Sequence, residues 1–160
     1  MKICMFLNNP HHTDGRVFKE SVTLSGRGHE VFILAKRSGK LSEKENIGGA
    51  QVLRFIKWPD IKFPIIRQLI FSFSWIRYGL KFDADCYHAH DGDVLFEAAI
   101  CAILKRKKLV YDSHELYLNL QHIEKSIIAK MFWYLKERFG IFFASLVIVA
   151  NKERGEIMKK

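Results

Sequence analysis

"DCYHAHDGDVLFEAAICAILKRKKLVYDSHELY", Asp85–Tyr117, decides the fold. "DCYHAH" is short and apolar-rich and reads as a strand. "DVLFEAAICAILKRK" is apolar on most faces and reads as a helix. Its basic end, "KRKK" (Lys105–Lys108), sits where cations suit the helix dipole, so it needs no functional role. "KLVYDSH" is a second strand. Strand, helix and strand in this succession predict a parallel crossover unit. Both strands run into polar residues: His88, His90 and Asp91 after the first, and Asp112, Ser113, His114 and Glu115 after the second.

Working outward, the same alternation continues. "KICMFLN" (Lys2–Asn8) is a buried strand and "NPHHTDG" a turn-rich loop. "RVFKESVTLSGRGH" has apolar residues near helical spacing and stops at Gly26 and Gly28. "EVFILAKR" is a second strand. "RSGKLSEKENIGG" (Arg37–Gly49) is polar and glycine-bearing and reads as a loop. "AQVLRFIKW" alternates and reads as a third strand, nearer an edge. "FPIIRQLIFSFSWIRYGL" opens with Pro64 in its first turn and reads as a helix. Beyond the quoted stretch, "SIIAKMFWYLKERFGIFF" is a long amphipathic helix and "SLVIVA" a sixth strand. "NKERGEIMKK" starts a helix after Asn151, a suitable N-cap. The expectation is an α/β fold: one Rossmann-like, three-layer α/β/α domain over residues 1–160. Its sheet is mostly parallel, of about six strands, in the order 3-2-1-4-5-6. The last helix stops at Lys160 without a C-cap, which suggests a chain continuing into a further domain.

Composition bounds the function. The 160 residues suffice for one full core, and 49% hydrophobic content with thirteen Phe excludes a disordered chain. Cys4, Cys86 and Cys101 are odd in number and show no CxxC spacing. They read as reduced core thiols of a cytoplasmic protein. The N-terminal apolar run is too short for a signal segment, and "GIFFASLVIVAN" is too short to span a bilayer. The expected location is therefore cytoplasmic, at most peripheral on the inner face of the membrane. A net charge of +9 suits a solvated basic surface, and equally an anionic partner such as a phosphate-bearing ligand or a lipid surface. The stretch from Trp58 to Phe82 mixes aromatic and basic residues. It reads as a helix packed on the sheet, with an anionic membrane surface as the alternative neighbour. No nucleic-acid-binding signature is present, so nucleic acid is not an expected partner.

Open parallel sheets bind ligands beyond the carboxyl ends of their strands. In the order 3-2-1-4-5-6, strands 1, 4 and 5 are neighbours. Their tips should bring Asp14, His90 and His114 around one hollow. His90, Asp91 and His114 then become candidates to touch ligand, with Glu115 a weaker one that could cap the next segment. His114 can hydrogen-bond a substrate hydroxyl. Asp14 and Gly15 lie where the first loop opens a helix, a place that attracts anions. That loop is neither a dinucleotide fingerprint nor a P-loop. His88 and His90 are two apart and share one side of a strand. A metal-dependent hydrolase built on His88, His90, Asp91 and His114 is one alternative. A non-catalytic ligand-binding α/β domain using the same rim is another.

Four stretches in order carry a family likeness: "NNPHHTDGRVFKESVTLSGRGHEVFILA", "ADCYHAHD", "KLVYDSHELY" and "ASLVIVANKERGEIMKK". Together they resemble the N-terminal half of GT-B glycosyltransferases of the large retaining family 4. The first loop departs from many members in lacking paired glycines. The resemblance implies a nucleotide-sugar donor as co-substrate, an acceptor glycan or lipid-linked sugar, and transfer with retention in cell-envelope or surface polysaccharide synthesis. It implies no metal cofactor. It also implies a C-terminal donor-binding domain absent from these residues, without which this half has little or no activity. By motif it makes His114 the catalytic histidine near the donor sugar. Asp14 and Gly15 fall in the loop near the donor phosphates.

Overall fold

The computed structural model describes residues 1–11, 14–57, 60–114 and 127–158. The elements are β1 (Lys2–Leu7), α1 (Gly15–Gly26), β2 (Glu30–Lys36), β3 (Lys44–Ile47), β4 (Ala50–Ile56), α2 (Pro64–Gly79), β5 (Cys86–His90), α3 (Gly92–Lys105), β6 (Lys108–Ser113), α4 (Ile127–Phe143), β7 (Leu146–Val149) and α5 (Lys152–Met158). One seven-stranded sheet has the order β3-β4-β2-β1-β5-β6-β7. All its pairings are parallel except β3 with β4. Without β3, this is the expected 3-2-1-4-5-6.

The exception corrects one reading. Arg37–Gly49 was expected to be loop, yet Lys44–Ile47 pairs antiparallel with β4. Its side chains are mostly exposed, so burial leaves no apolar pattern on "KENI". The readable signal is the turn: Gly48 and Gly49 both have positive φ, +59° and +86°, as a tight hairpin requires. The sheet therefore has seven strands rather than six.

The central strands are covered on both faces, which explains their unbroken apolar runs. β5 is buried at every position and β1 at all but its first. Odd residues of β1 (Ile3, Met5, Leu7) face α1 with Val31, Ile33, Ala35, Val52 and Cys86. Cys4 and Phe6 face the other way, into a larger core with Phe71, Trp75, Tyr87, Leu95 and Tyr111. Phe6 stacks on Trp75 at 5.3 Å between ring centroids. Helices α3 and α4 meet at Gly140, where a Cβ would lie 2.2 Å from Leu95 Cγ, so only glycine allows this approach. The three cysteines are free and buried.

Two helix starts have a clear local cause. The Asp14 side chain accepts a hydrogen bond from Val17 N and caps α1. Pro64 occupies the first turn of α2, where its missing N–H costs nothing. Register then sets the site. Leu7 lies beside His90, and His90 beside Asp112.

Candidate functional site

The tips of β1, β5 and β6 meet at one edge of the sheet. His90 ends β5, and Asp112 sits beside it on β6. His114 follows β6, and its ring lies parallel to that of His90, with centroids 6.4 Å apart and planes 4° apart. His114 Nε2 is 2.6 Å from Asp112 Oδ2, a close polar contact out of line for a directed hydrogen bond. His90 Nδ1 is 3.6 Å from the same oxygen. His88, one step down β5, stacks on His90 at 4.2 Å. Three imidazoles thus run from the sheet interior to the rim, along one carboxylate.

Burial pushes the Asp112 carboxyl upward. The polar contact of His90 and the charges of His114, His90 and His88 outweigh it, so Asp112 ends below the usual carboxylate range. Burial drives His88 down to about 3, with His90 adding to the shift, so its ring is neutral at physiological pH.

Asp91 has an unusual backbone, with φ +72° and ψ 165°. A non-glycine residue holds such a conformation only when its surroundings impose it. Here Asp91 N donates to Asp112 O, and Asp91 Oδ1 accepts from His114 N at 2.9 Å. Asp91 therefore ties the tip of β5 to the backbone of His114. Arg154, on α5, donates to His114 O from the other side. Glu115 and Trp58 lie outside the described residues.

The first loop stands beside this edge. Asp14 spends both carboxylate oxygens locally: Oδ1 on Val17 N and Oδ2 on Asn9 Nδ2. Burial pushes its carboxyl upward, but those bonds and the Arg16 charge hold it below the usual carboxylate range. Gly15 faces open space. With Asn9, Pro10, Arg16, Lys19, Ser38, Lys40 and Leu41, these two residues line a cavity of about 800 Å³. Three of its lining residues are cationic.

Arg54 was not foreseen as part of the site. It is fully buried on β4 and donates to Pro10 O, Ser42 O and Glu45 Oε2, with a longer bond to His11 O. One guanidinium so props the first loop against the β3 hairpin. An arginine within the alternating strand "AQVLRFIKW" was the signal: one of its two faces had to turn inward.

The hydrolase set His88, His90, Asp91 and His114 does not assemble as one group. Asp91 is turned to the His114 backbone. The side chains that converge are Glu20, His88, His90 and Asp112, with Glu20 contributed by α1.

Residues 17–160 match the model of Glycosyltransferase Family 4. Among solved structures, a segment of sucrose-phosphate synthase from Thermosynechococcus elongatus superposes with a TM-score of 0.72 at 11% identity. That match covers 100% of this chain and 82% of the segment. The larger chain of the same synthase gives 0.68 at 11%, covering 99% of this chain and 45% of that one. MurG of Acinetobacter baumannii gives 0.55 at 16%, covering 93% and 41%. The chain thus spans less than half of these two longer proteins. Comparison with curated proteins gives no match. At such identities the structural likeness shows the fold, a Rossmann-like α/β domain of the kind that forms the N-terminal half of GT-B enzymes.

Proposed function

Since the chain belongs to Glycosyltransferase Family 4, we propose that it is the acceptor-side half of an enzyme that moves a sugar from a nucleotide-sugar to an acceptor hydroxyl with retention. The observation that carries this reading is the meeting of His90, Asp112 and His114 at adjacent strand tips, beside the first loop. Asp112 orients the His114 ring, and Asp91 fixes its backbone. A ring held this way can hydrogen-bond a hydroxyl of the transferred sugar without reorganising as the bond to phosphate breaks. The sugar leaves its diphosphate, and the acceptor oxygen attacks from the same face. Arg16, Lys19 and Lys40 around the first-loop cavity supply positive charge toward the departing phosphates, as does the start of α1. The transfer itself runs without a metal. A second, donor-binding domain completes the cleft, so the 160 residues alone turn over little or no substrate.

The acceptor side suits a lipid-linked sugar in cell-envelope or surface polysaccharide synthesis. α2 and α4 border an apolar groove of about 1230 Å³. Phe63 just before α2, Leu69 and Phe73 on it, and Ile127, Ile128 and Phe142 on α4 are exposed. Lys62, Arg77, Lys130 and Arg138 are exposed on the same two segments. Apolar side chains rimmed by cations favour an anionic membrane interface on the cytoplasmic side. No helix among the described residues is long and apolar enough to cross a membrane.

The test is His114→Ala in the enzyme with its second domain present. Turnover should fall on the order of 100-fold or more, with thermal unfolding unchanged. Wild-type turnover in that variant would remove His114 from the mechanism.

A further inference from the structure

Below the rim, four side chains from three elements face one another between α1 and the sheet. Glu20 comes from α1, His88 and His90 from one side of β5, and Asp112 from β6. One ligand-type atom of each lies within 4.8 Å of all the others. The three strand residues are buried, and Glu20 is half-buried.

The hydrogen bonding of this group does not close. The His90 side chain is 1% exposed, and neither ring nitrogen has a hydrogen-bond partner among the described residues. His88 Nε2 has none either. Buried polar atoms normally find partners, and each one left over costs about 1–3 kcal/mol. The distances say what kind of partner fits. His88 Nδ1 to Glu20 Oε1 is 3.4 Å, and His90 Nδ1 to Asp112 Oδ2 is 3.6 Å. Both exceed the usual span of an N–H···O bond, about 2.7–3.2 Å. Both match the edge of a tetrahedral zinc shell, where bonds of about 2.0–2.2 Å place neighbouring ligands about 3.3–3.6 Å apart. The widest separation, 4.8 Å, closes to that edge with about 1 Å of side-chain movement, using the same bond lengths. Two imidazoles with two carboxylates suit zinc or a similar ion, whereas magnesium and calcium prefer oxygen alone.

We propose that Glu20, His88, His90 and Asp112 form a closed, structural site for a zinc-like divalent cation that fastens α1 to β5 and β6. His114 stands outside the shell, against Asp112 Oδ2, where outer partners of ligating carboxylates usually sit. The ion holds the helix whose N-terminus carries the first loop. It takes no part in sugar transfer, although its site shares His90 and Asp112 with the proposed rim. Metal titration tests the site, and turnover of His114→Ala tests the reaction, so the two can fail separately. It also departs from the metal-free protein implied by the family likeness, and its ligands differ from the hydrolase set by Glu20 and Asp112.

The experiment uses the untagged full chain, stripped with a chelator and titrated with cobalt(II), then zinc(II). One equivalent of cobalt should bind with the absorption of a tetrahedral complex. Zinc should displace it and raise the unfolding temperature, as binding to the folded state requires. Glu20→Gln, a change on a partly exposed helix position, should stay folded by circular dichroism and weaken binding about 100-fold, comparable to the larger losses seen around metal sites. His88→Ala should abolish the tetrahedral spectrum. The proposal is overturned if folded full chain binds no stoichiometric cobalt. It is equally overturned if Glu20→Gln, shown to be folded, binds with wild-type affinity and spectrum.

Discussion

On the α2–α3–α4 side of the sheet, the buried Glu97 holds Lys136 Nζ at 2.8 Å and Ser72 Oγ at 2.5 Å, all through one carboxylate oxygen. On the α1 side, His88 and His90 are as deeply buried, yet three of their ring nitrogens meet no hydrogen-bonding group among the described residues. Both sides bury ionisable groups, and they treat them differently. Lys136 is also ringed by Phe96, Phe132 and Trp133, with its Nζ 5.0–5.7 Å from their centroids. That cation is paired and packed, as a group serving the fold should be. Glu97 leaves only its second oxygen without a partner, whereas the two histidines leave three ring nitrogens, as a group serving a ligand should.

Lys136→Met gives the largest expected effect on this contrast. It leaves Glu97 charged and unpaired in the core and should cost about 3–5 kcal/mol in denaturant unfolding. Adding Glu97→Leu should restore most of that loss. An unchanged stability in the single variant would mean that the pair does not close this side.

Asp93 gives the next. It lies at the start of α3, where burial pushes its carboxyl up to about 7 against the hydrogen bond from Asn8 Nδ2 at 2.6 Å. The folded state therefore holds this proton more tightly than the unfolded chain does. The stability it contributes is complete below about pH 4 and is lost as pH rises through 7. Asp93→Asn keeps an oxygen for Asn8 and should flatten that slope. A gain of a few kcal/mol over wild type should appear above pH 7. Parallel pH curves for the two proteins would place the charge elsewhere.

Gly140→Ala is the smallest of the three. Its Cβ would meet Leu95 Cγ at 2.2 Å and should cost about 1–3 kcal/mol by overpacking, recovered in part by Leu95→Ala. Such a change on the structural side should leave cobalt binding on the α1 side untouched. If it weakened binding, the two sides would not be separable.

Much of the fold was legible because burial on both faces leaves near-continuous apolar runs in the central strands, while β4 was read from its alternation. β3 was not legible, since "KENI" is an exposed edge strand whose pairing rests on backbone bonds and the Gly48–Gly49 turn. His90 and His114 could be placed on one rim from strand order alone. The Asp14 carboxylate, expected near ligand, also caps α1 through Val17 N and accepts from Asn9. A capping residue and a ligand-binding residue look alike in sequence, because both are short acids before a helix.

The sequence by itself determined the alternation of elements, and with it the strand order, because residue period and the handedness of crossovers are local rules. It also determined that the polar tips of "HAHD" and "YDSH" share one edge. Only the tertiary structure decided which side chains meet there. Glu20 reaches the histidines, and Arg54 lies beneath the first loop, through register and packing between elements far apart in the chain. No spacing along the sequence encodes such meetings, because they depend on which face of each element turns inward and at what depth.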